Sequence, residues 1–267
     1  MHTLQELLDE NLWQQYITLN PQVKVIHRLL RARDERIVND HIAMRTFGDP
    51  RVGIAVMAQP FVQLGYRPAG NYTFIEKKLR ATHYEHPDAG QPKIFISELK
   101  LEQCSPALRN CVDGLLDQMP PGASRAWYFP GSGRLWQLSY QQYESLRVES
   151  EYAAWVAAFG FMANHFTVLV NTLKTFDSLQ NLNMFLRGHG FKLNVAGGEI
   201  KGSPTVFLEQ SATLADKVTV EFSDGVSTIP ACYYEFARRY PMPDGRLYQG
   251  FVEKSADKIF HSTDHSS

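Results

Sequence analysis

Cysteine is scarce in this chain. Cys104, Cys111 and Cys232 form no CxxC pair, which argues against a disulfide framework and fits buried thiols in a reducing compartment. Long apolar runs are also missing. The longest, Tyr152 to Met162, falls short of the roughly 20 residues that a membrane-spanning helix needs. Neither sign of charge dominates: 27 Lys and Arg stand against 28 Asp and Glu, a net charge of −1. No basic run stands out, so nucleic-acid binding has no electrostatic support. The first residues, Met1-His2-Thr3-Leu4-Gln5-Glu6, lack the basic-then-apolar pattern of a secretory signal. The expectation is a cytoplasmic protein that neither crosses a membrane nor binds nucleic acid. What remains is a chain of 267 residues, 44% hydrophobic, large enough to bury a sizeable core as one domain or two fused modules.

The informative feature is a repeat. His41 lies in Asn39-Asp40-His41-Ile42-Ala43 and His165 in Ala163-Asn164-His165-Phe166-Thr167, each opening a strand-like run. A helix-like stretch follows each, then a Gly-aromatic pair at nearly the same distance, Gly65-Tyr66 and Gly190-Phe191. Each copy ends in a strand-like run with a glutamate, Ile94 to Leu99 around Glu98 and Cys232 to Phe236 around Glu235. The pattern predicts an α+β fold in which a strand–helix–three-strand unit occurs twice and forms a cupped sheet. The expected division is N-terminal helices over 1–35, a first module over 36–103, a helical insert over 104–160, a second module over 161–245 and a tail over 246–267.

Local signals fill in the rest. Thr3 with Glu6 makes a capping box, and Asn20-Pro21 marks a second helix start. In the first module Asp40 to Phe47, Tyr72 to Leu79 and Pro92 to Leu101 read as strands, with His83 to Gly90 as a turn-rich loop. The insert reads as one helix stopped by Pro120-Pro121-Gly122 and a second from Tyr143 to Phe159, capped by Gly160. The second module predicts strands at Asn164 to Val170, from Phe191, at Thr205 to Leu208, and in a last pair, Val218 to Phe222 and Cys232 to Phe236, that flanks the Ser223-Asp224-Gly225 turn. The polar end, Ser262 to Ser267, reads as disordered.

Alternate residues of a strand share a face. His41 and Arg45 can therefore enter one cavity, with His165 reaching it from the other copy. Two neutral imidazoles and one carboxylate on a concave sheet make a facial triad with open coordination positions, which suits Fe(II); the same donors can hold Zn²⁺. The third donor has two candidates. Glu221 matches the spacing of Glu98 in the first copy, but it alternates with Val218, Val220 and Phe222 and so faces solvent. Glu235 stands among Tyr233, Tyr234 and Phe236, where a carboxylate is costly to bury without a partner. Glu235 is favoured.

Asp40-His41-Ile42-Ala43-Met44-Arg45-Thr46-Phe47, Asn164-His165-Phe166-Thr167 and Tyr233-Tyr234-Glu235-Phe236-Ala237-Arg238-Arg239 resemble motifs of the 2-oxoadipate dioxygenase/decarboxylase family, over roughly residues 35 to 245. That family is similar to the vicinal oxygen chelate superfamily, whose paired βαβββ modules cup a metal. The resemblance implies that His41, His165 and Glu235 hold Fe(II), or another divalent metal such as Zn or Ni. It implies that Arg45 pairs with a substrate carboxylate, and that 2-oxoadipate and O₂ become 2-hydroxyglutarate and CO₂. The alternative is a Zn- or Ni-dependent glyoxalase-like hydrolase, lyase or isomerase. Gln210 is a further substrate-binding candidate. Arg45 has the plainer reading of pairing with Asp40 or Glu76, Glu98 that of a relic or an orienting partner for a histidine, and His83 and His86 that of solvated loop residues.

Overall fold

The computed structural model describes residues 2–263, without the side chains of 256 and 257. The Thr3–Glu6 capping box is present in both directions: Thr3 Oγ1 accepts from the Glu6 amide at 3.1 Å, and Glu6 Oε2 accepts from the Thr3 amide at 2.7 Å. It opens a π-helical stretch, Glu6–Trp13, that runs into α1 (Gln14–Leu19); α2 (Pro21–Arg31) follows Asn20. The first repeat is β1 (Asn39–Phe47), α3 (Ile54–Gln63), β2 (Arg67–Phe74), β3 (Leu79–Glu85) and β4 (Lys93–Leu99). The insert carries α4 (Pro106–Leu116), α5 (Tyr140–Glu149) and α6 (Glu151–Phe159). The second repeat is β5 (Ala163–Leu169), α7 (Leu179–Gly188), β6 (Lys201–Ser203), β7 (Leu208–Ala212), a hairpin of β8 (Lys217–Phe222) and β9 (Gly225–Pro230), and β10 (Tyr233–Arg239); α8 (Glu253–Ile259) closes the chain.

These elements make a mixed α+β fold around one curled eight-stranded sheet, ordered β2-β3-β4-β1-β5-β10-β7-β6, with β8–β9 as a separate two-stranded ribbon. The order is symmetric about the antiparallel β1–β5 seam. Each seam strand pairs in parallel with the last strand of its own repeat, β4 or β10. Ile42, Phe166, Tyr234 and Phe236 are fully or nearly fully buried. On this outer face the Phe166 ring meets Trp13 and Tyr16, each at 4.8 Å. His27 Nε2 lies 2.6 Å from the Tyr234 hydroxyl. Alternation leaves His41, Arg45, His165 and Glu235 on the concave face.

Several local expectations change. Residues 75–78 form a turn, with Lys78 at φ +55°, so the run from Tyr72 splits between β2 and β3. His83 consequently lies within β3 and is buried, not in a solvated loop. No strand starts at Phe191; only Leu193 makes a bridge, to Thr213. The corresponding edge strand is the short β6, and Pro204–Val206 turns it into β7. Proline offers no amide to a ladder, which explains the interruption. Tyr143 to Phe159 is two helices, because Ser150 leaves helical geometry and caps α6 by accepting from the Ala153 amide at 3.1 Å. Gly160 ends α6 at φ +70°, where any side chain would collide with the Gly133 carbonyl. The end of the chain is ordered through Thr263, with Ser262 and Thr263 buried; residues 264–267 lie outside the described residues.

That ordered end crosses the open side of the sheet as a strap. Glu253 Oε1 accepts from the Thr73 amide of β2 at 2.7 Å. Asn194 Nδ2, on the opposite side, donates to the Lys258 carbonyl at 3.1 Å and to Ser262 Oγ at 2.8 Å. Helix α8 thus touches both edges, packing on β2, β6 and β7. No described helix is long and apolar enough to cross a membrane.

Candidate metal and substrate site

Strand register builds the site. Across the seam Ala43 stands opposite His165 and His41 opposite Thr167. On the other side of β5, Tyr233 stands beside His165 and Glu235 beside Thr167. The three predicted donors therefore converge, all buried, within 4.8 Å of one another. His165 Nε2 lies 3.4 Å from His41 Nε2 and 3.2 Å from Glu235 Oε2; His41 Nε2 lies 3.5 Å from Glu235 Oε1. An ion bonded at ~2.1 Å with angles of 90–110° needs donors ~3.0–3.4 Å apart, so this triangle could close on one with small shifts.

The electrostatics suit a cation. Burial pushes both imidazoles below their ordinary pKa, His165 the further, with the charges of His41 and Arg45 acting the same way on it; for His41, Asp40 pulls in the opposite direction. Neutral rings are what a metal requires. Burial pushes the Glu235 carboxyl up to about 8, against the hydrogen bond from Gln210. A dication would remove that penalty.

Supporting contacts fix each donor. Gln210 Nε2 donates to Glu235 Oε1 at 2.6 Å. Asp40 Oδ2 accepts from His41 Nδ1 at 2.8 Å, which leaves Nε2 aimed at the cup. Asn164 Oδ1 stands in the same relation to His165 Nδ1 at 3.1 Å. Asp40 is itself clamped by Arg239, with Nε on Oδ1 at 2.6 Å and Nη2 on Oδ2 at 2.8 Å. Burial alone would raise the Asp40 pKa, but the Arg239 charge and the bonds from His41 and Arg239 hold it well below the usual carboxylate range.

Arg45 shares the concave face, 2% exposed. Its guanidinium lies 5.0–5.4 Å from the rings of Tyr152, Trp155 and Phe260. Nη1 donates to Thr263 Oγ1 at 3.1 Å, while Nε and Nη2 have no hydrogen-bond partner; the Tyr233 hydroxyl interacts with Arg45 without full hydrogen-bond geometry. Neither Asp40 nor Glu76 pairs with it, which removes the plainer reading. Two buried donors without acceptors are costly, and a carboxylate would satisfy both at once. The chamber around the triad has a free volume of ≈ 20 Å³, space for little more than one water molecule. Arg45 and Phe260 line both this chamber and an outer cavity of ≈ 290 Å³ that also holds Thr263, Lys78 and Arg147.

The other candidates fall outside. Glu221 is exposed on the β8–β9 ribbon. Glu98 orients no histidine: it accepts from the Ile54 amide at the start of α3 at 2.7 Å and pairs with Arg80. His83 bonds Tyr72 and Glu85, and His86 the Leu64 carbonyl. Sequence alone assigns no orienting role to Asp40, Asn164 or Arg239, although an Asx residue precedes each repeat histidine. Nor does it point to Phe251, Ile259 and Phe260, which line the chamber from the strap.

A curled sheet that buries two histidines and a glutamate, donors that could hold a metal, beside a cavity defines a protein with a glyoxalase-like fold and a candidate metal site. A Ralstonia eutropha JMP134 structure provisionally assigned to the glyoxalase superfamily shares that fold, with TM-score 0.74 at 23% identity over 90% of this chain and 82% of its own. The 2-oxoadipate dioxygenase/decarboxylase family model matches residues 5–120 and 133–249, and the chain belongs to that family. It is 36% identical to the Arabidopsis thaliana 2-oxoadipate dioxygenase/decarboxylase, named as chloroplastic, over 93% of this chain and 74% of the relative. A rice hydroxyglutarate synthase solved in complex with 2-oxoadipate gives TM-score 0.91 at 35% identity, over 96% of this chain and 91% of that one. A Shewanella frigidimarina protein provisionally described as a hydrolase gives 0.90 at 51%, over 95% and 99%.

Proposed function

We propose that this chain converts 2-oxoadipate and O₂ to 2-hydroxyglutarate and CO₂, with Fe(II) held by His41, His165 and Glu235. The observation that carries this reading is the buried donor triangle with a guanidinium on the same face, two of whose nitrogens have no hydrogen-bond partner. The reaction balances without another oxidant: the C1 carboxylate leaves as CO₂, one oxygen atom of O₂ completes the carboxylate formed at the former keto carbon, and the other enters the new hydroxyl. Bound iron would supply a site where the 2-oxo acid and O₂ meet. The protein's own groups do the rest. Arg45 exchanges Thr263 for the distal carboxylate of the substrate and sets its reach. Gln210 holds Glu235 in one rotamer and, next to the chamber, is also placed to contact substrate. Asp40 and Asn164 fix the two rings, and the strap keeps bulk water out.

In this reading the sheet is two βαβββ modules of vicinal-oxygen-chelate type, with the β8–β9 ribbon inserted between the third and fourth strands of the second. Strand order and the parallel β1–β4 and β5–β10 pairs support it. The three free thiols fit a reducing compartment, the cytoplasm in our reading.

The test is anaerobic loading with Fe(II), followed by O₂ consumption and product analysis across 2-oxo dicarboxylates of different length. Uptake with 2-oxoadipate and release of one CO₂ per O₂ is expected. No uptake with any of them, alongside turnover by the Zn²⁺ form, would replace this reading with the hydrolase, lyase or isomerase one.

A further inference from the structure

We propose that Arg239 is a positioning residue that couples closure of the C-terminal strap to the orientation of His41. Its side chain divides its donors between two partners. Nε and Nη2 grip both Asp40 oxygens, and Asp40 Oδ2 in turn accepts from His41 Nδ1. Nη1 donates to the Tyr248 and Gly250 carbonyls, each at 2.9 Å, where the chain enters the strap. The next residue, Phe251, lays its ring 5.3 Å from the guanidinium and 4.8 Å edge-on from His41. Its amide donates to the Tyr72 hydroxyl of β2 at 3.2 Å.

Arg239 cannot shift with the strap without pulling on Asp40. The backbone leaves it little slack: its amide and carbonyl are both bonded to the Asn171 side chain, at 2.9 and 2.8 Å. Asp40, Arg239 and His41 are all buried, so water does not fill in for a lost contact. The second repeat has no counterpart. His165 is oriented by Asn164, whose Nδ2 has no hydrogen-bond partner. Coupling therefore passes through one donor of the triad. Substrate entry gives it a use. The chamber has no room for a six-carbon acid while Phe251, Ile259 and Phe260 close it, so the strap opens in each cycle. Opening loosens His41, and closing over substrate restores it.

The inference rests on His41 as a metal ligand, and the test separates the two. Co²⁺ alone is titrated into the protein and its visible absorption followed, which reports both affinity and ligand geometry. Trypsin cleavage after Lys254, exposed on α8, reports strap opening. Coupling is reciprocal, so Co²⁺ should slow cleavage of the wild type several-fold. Arg239→Lys keeps the charge but cannot hold four acceptors. It should weaken Co²⁺ binding about 10- to 100-fold, alter the absorption bands and leave cleavage fast with or without metal. If that variant does not fold, Asp40→Asn decides: it should lose protection by Co²⁺ while cleavage of the metal-free protein stays near wild type. Wild-type affinity in Arg239→Lys, full protection in Asp40→Asn, or no protection in the wild type overturns the coupling. Co²⁺ uptake by His41→Ala equal to that of the wild type overturns the ligand reading, and the coupling with it.

Discussion

Replacing Arg45 tests substrate recognition most directly, because the two sides of its energy can be worked out separately. In Arg45→Met the fork is lost and most of the stem's volume stays. On the substrate side, two charge-assisted bonds to a carboxylate are worth about 1.5–3 kcal/mol each. Their loss should lower kcat/KM for 2-oxoadipate by about 10²–10⁴-fold. On the folding side the contributions oppose one another. Releasing the unpartnered Nε and Nη2 gains about 1–3 kcal/mol apiece. Losing three ring contacts costs about 0.5–2 kcal/mol apiece, and the Thr263 bond about 1 kcal/mol more. The net is small, so the variant should stay folded with a melting temperature within several degrees of wild type. The control is 2-oxohexanoate, which has the same length and no distal carboxylate. Wild type should use it poorly, and Arg45→Met should use it about as well as wild type does. Arg45→Lys should fall between, since an ammonium cannot fork. Equal losses on both substrates would refute distal-carboxylate recognition and place Arg45 in the architecture of the chamber.

Three further outcomes are expected. His165→Ala should lose stoichiometric iron, read by elemental analysis after Fe(II) loading; full iron content would remove His165 from the ligand set. Gln210→Leu frees Glu235 Oε1 and should lower metal affinity about tenfold or more, measured by equilibrium dialysis; an unchanged affinity would leave Gln210 with a substrate role only. Burial, with a smaller push from the Arg31 charge, lowers His27 to about 4 from 6.5. The unfolded chain thus binds more protons between those values, and stability falls as pH drops through that window, by roughly 2–3 kcal/mol. Urea melts from pH 7 to 4 should show the loss, and His27→Gln should flatten it; an equal slope in both would clear His27.

The site was more legible than the scaffold around it. His41, His165 and Glu235 sit on strands whose alternation can be counted, and a repeated histidine is visible wherever the modules begin. Glu235 was separable from Glu221 because one stands among aromatics and the other alternates with apolar residues on a ribbon. Arg45 followed from sharing a face with His41. Elements failed where tertiary context overrides local pattern. The three-residue β6 is too short to show alternation, and β3 was hidden by the polar His83–Gly90 run, although its histidine is buried against Tyr72 and Phe251. The strap was missed because its apolar residues are sparse and its polar ones are buried by partners far away in sequence, Asn194 for Ser262 and Arg45 for Thr263.

On the proposed function, the β1–β5 seam also governs when the metal can be acquired. His41 stands opposite Thr167 there, with the whole helical insert between them in the chain. The third donor arrives only on β10, which pairs with β5. Closing so long a loop is slow and is repaid only once the distant strands meet. During synthesis the first module emerges with only His41 of the three donors. Metal loading is therefore an event of the nearly finished chain, after β10 has left the ribosome. Production with iron scarce should then accumulate folded, metal-free protein that can be activated later.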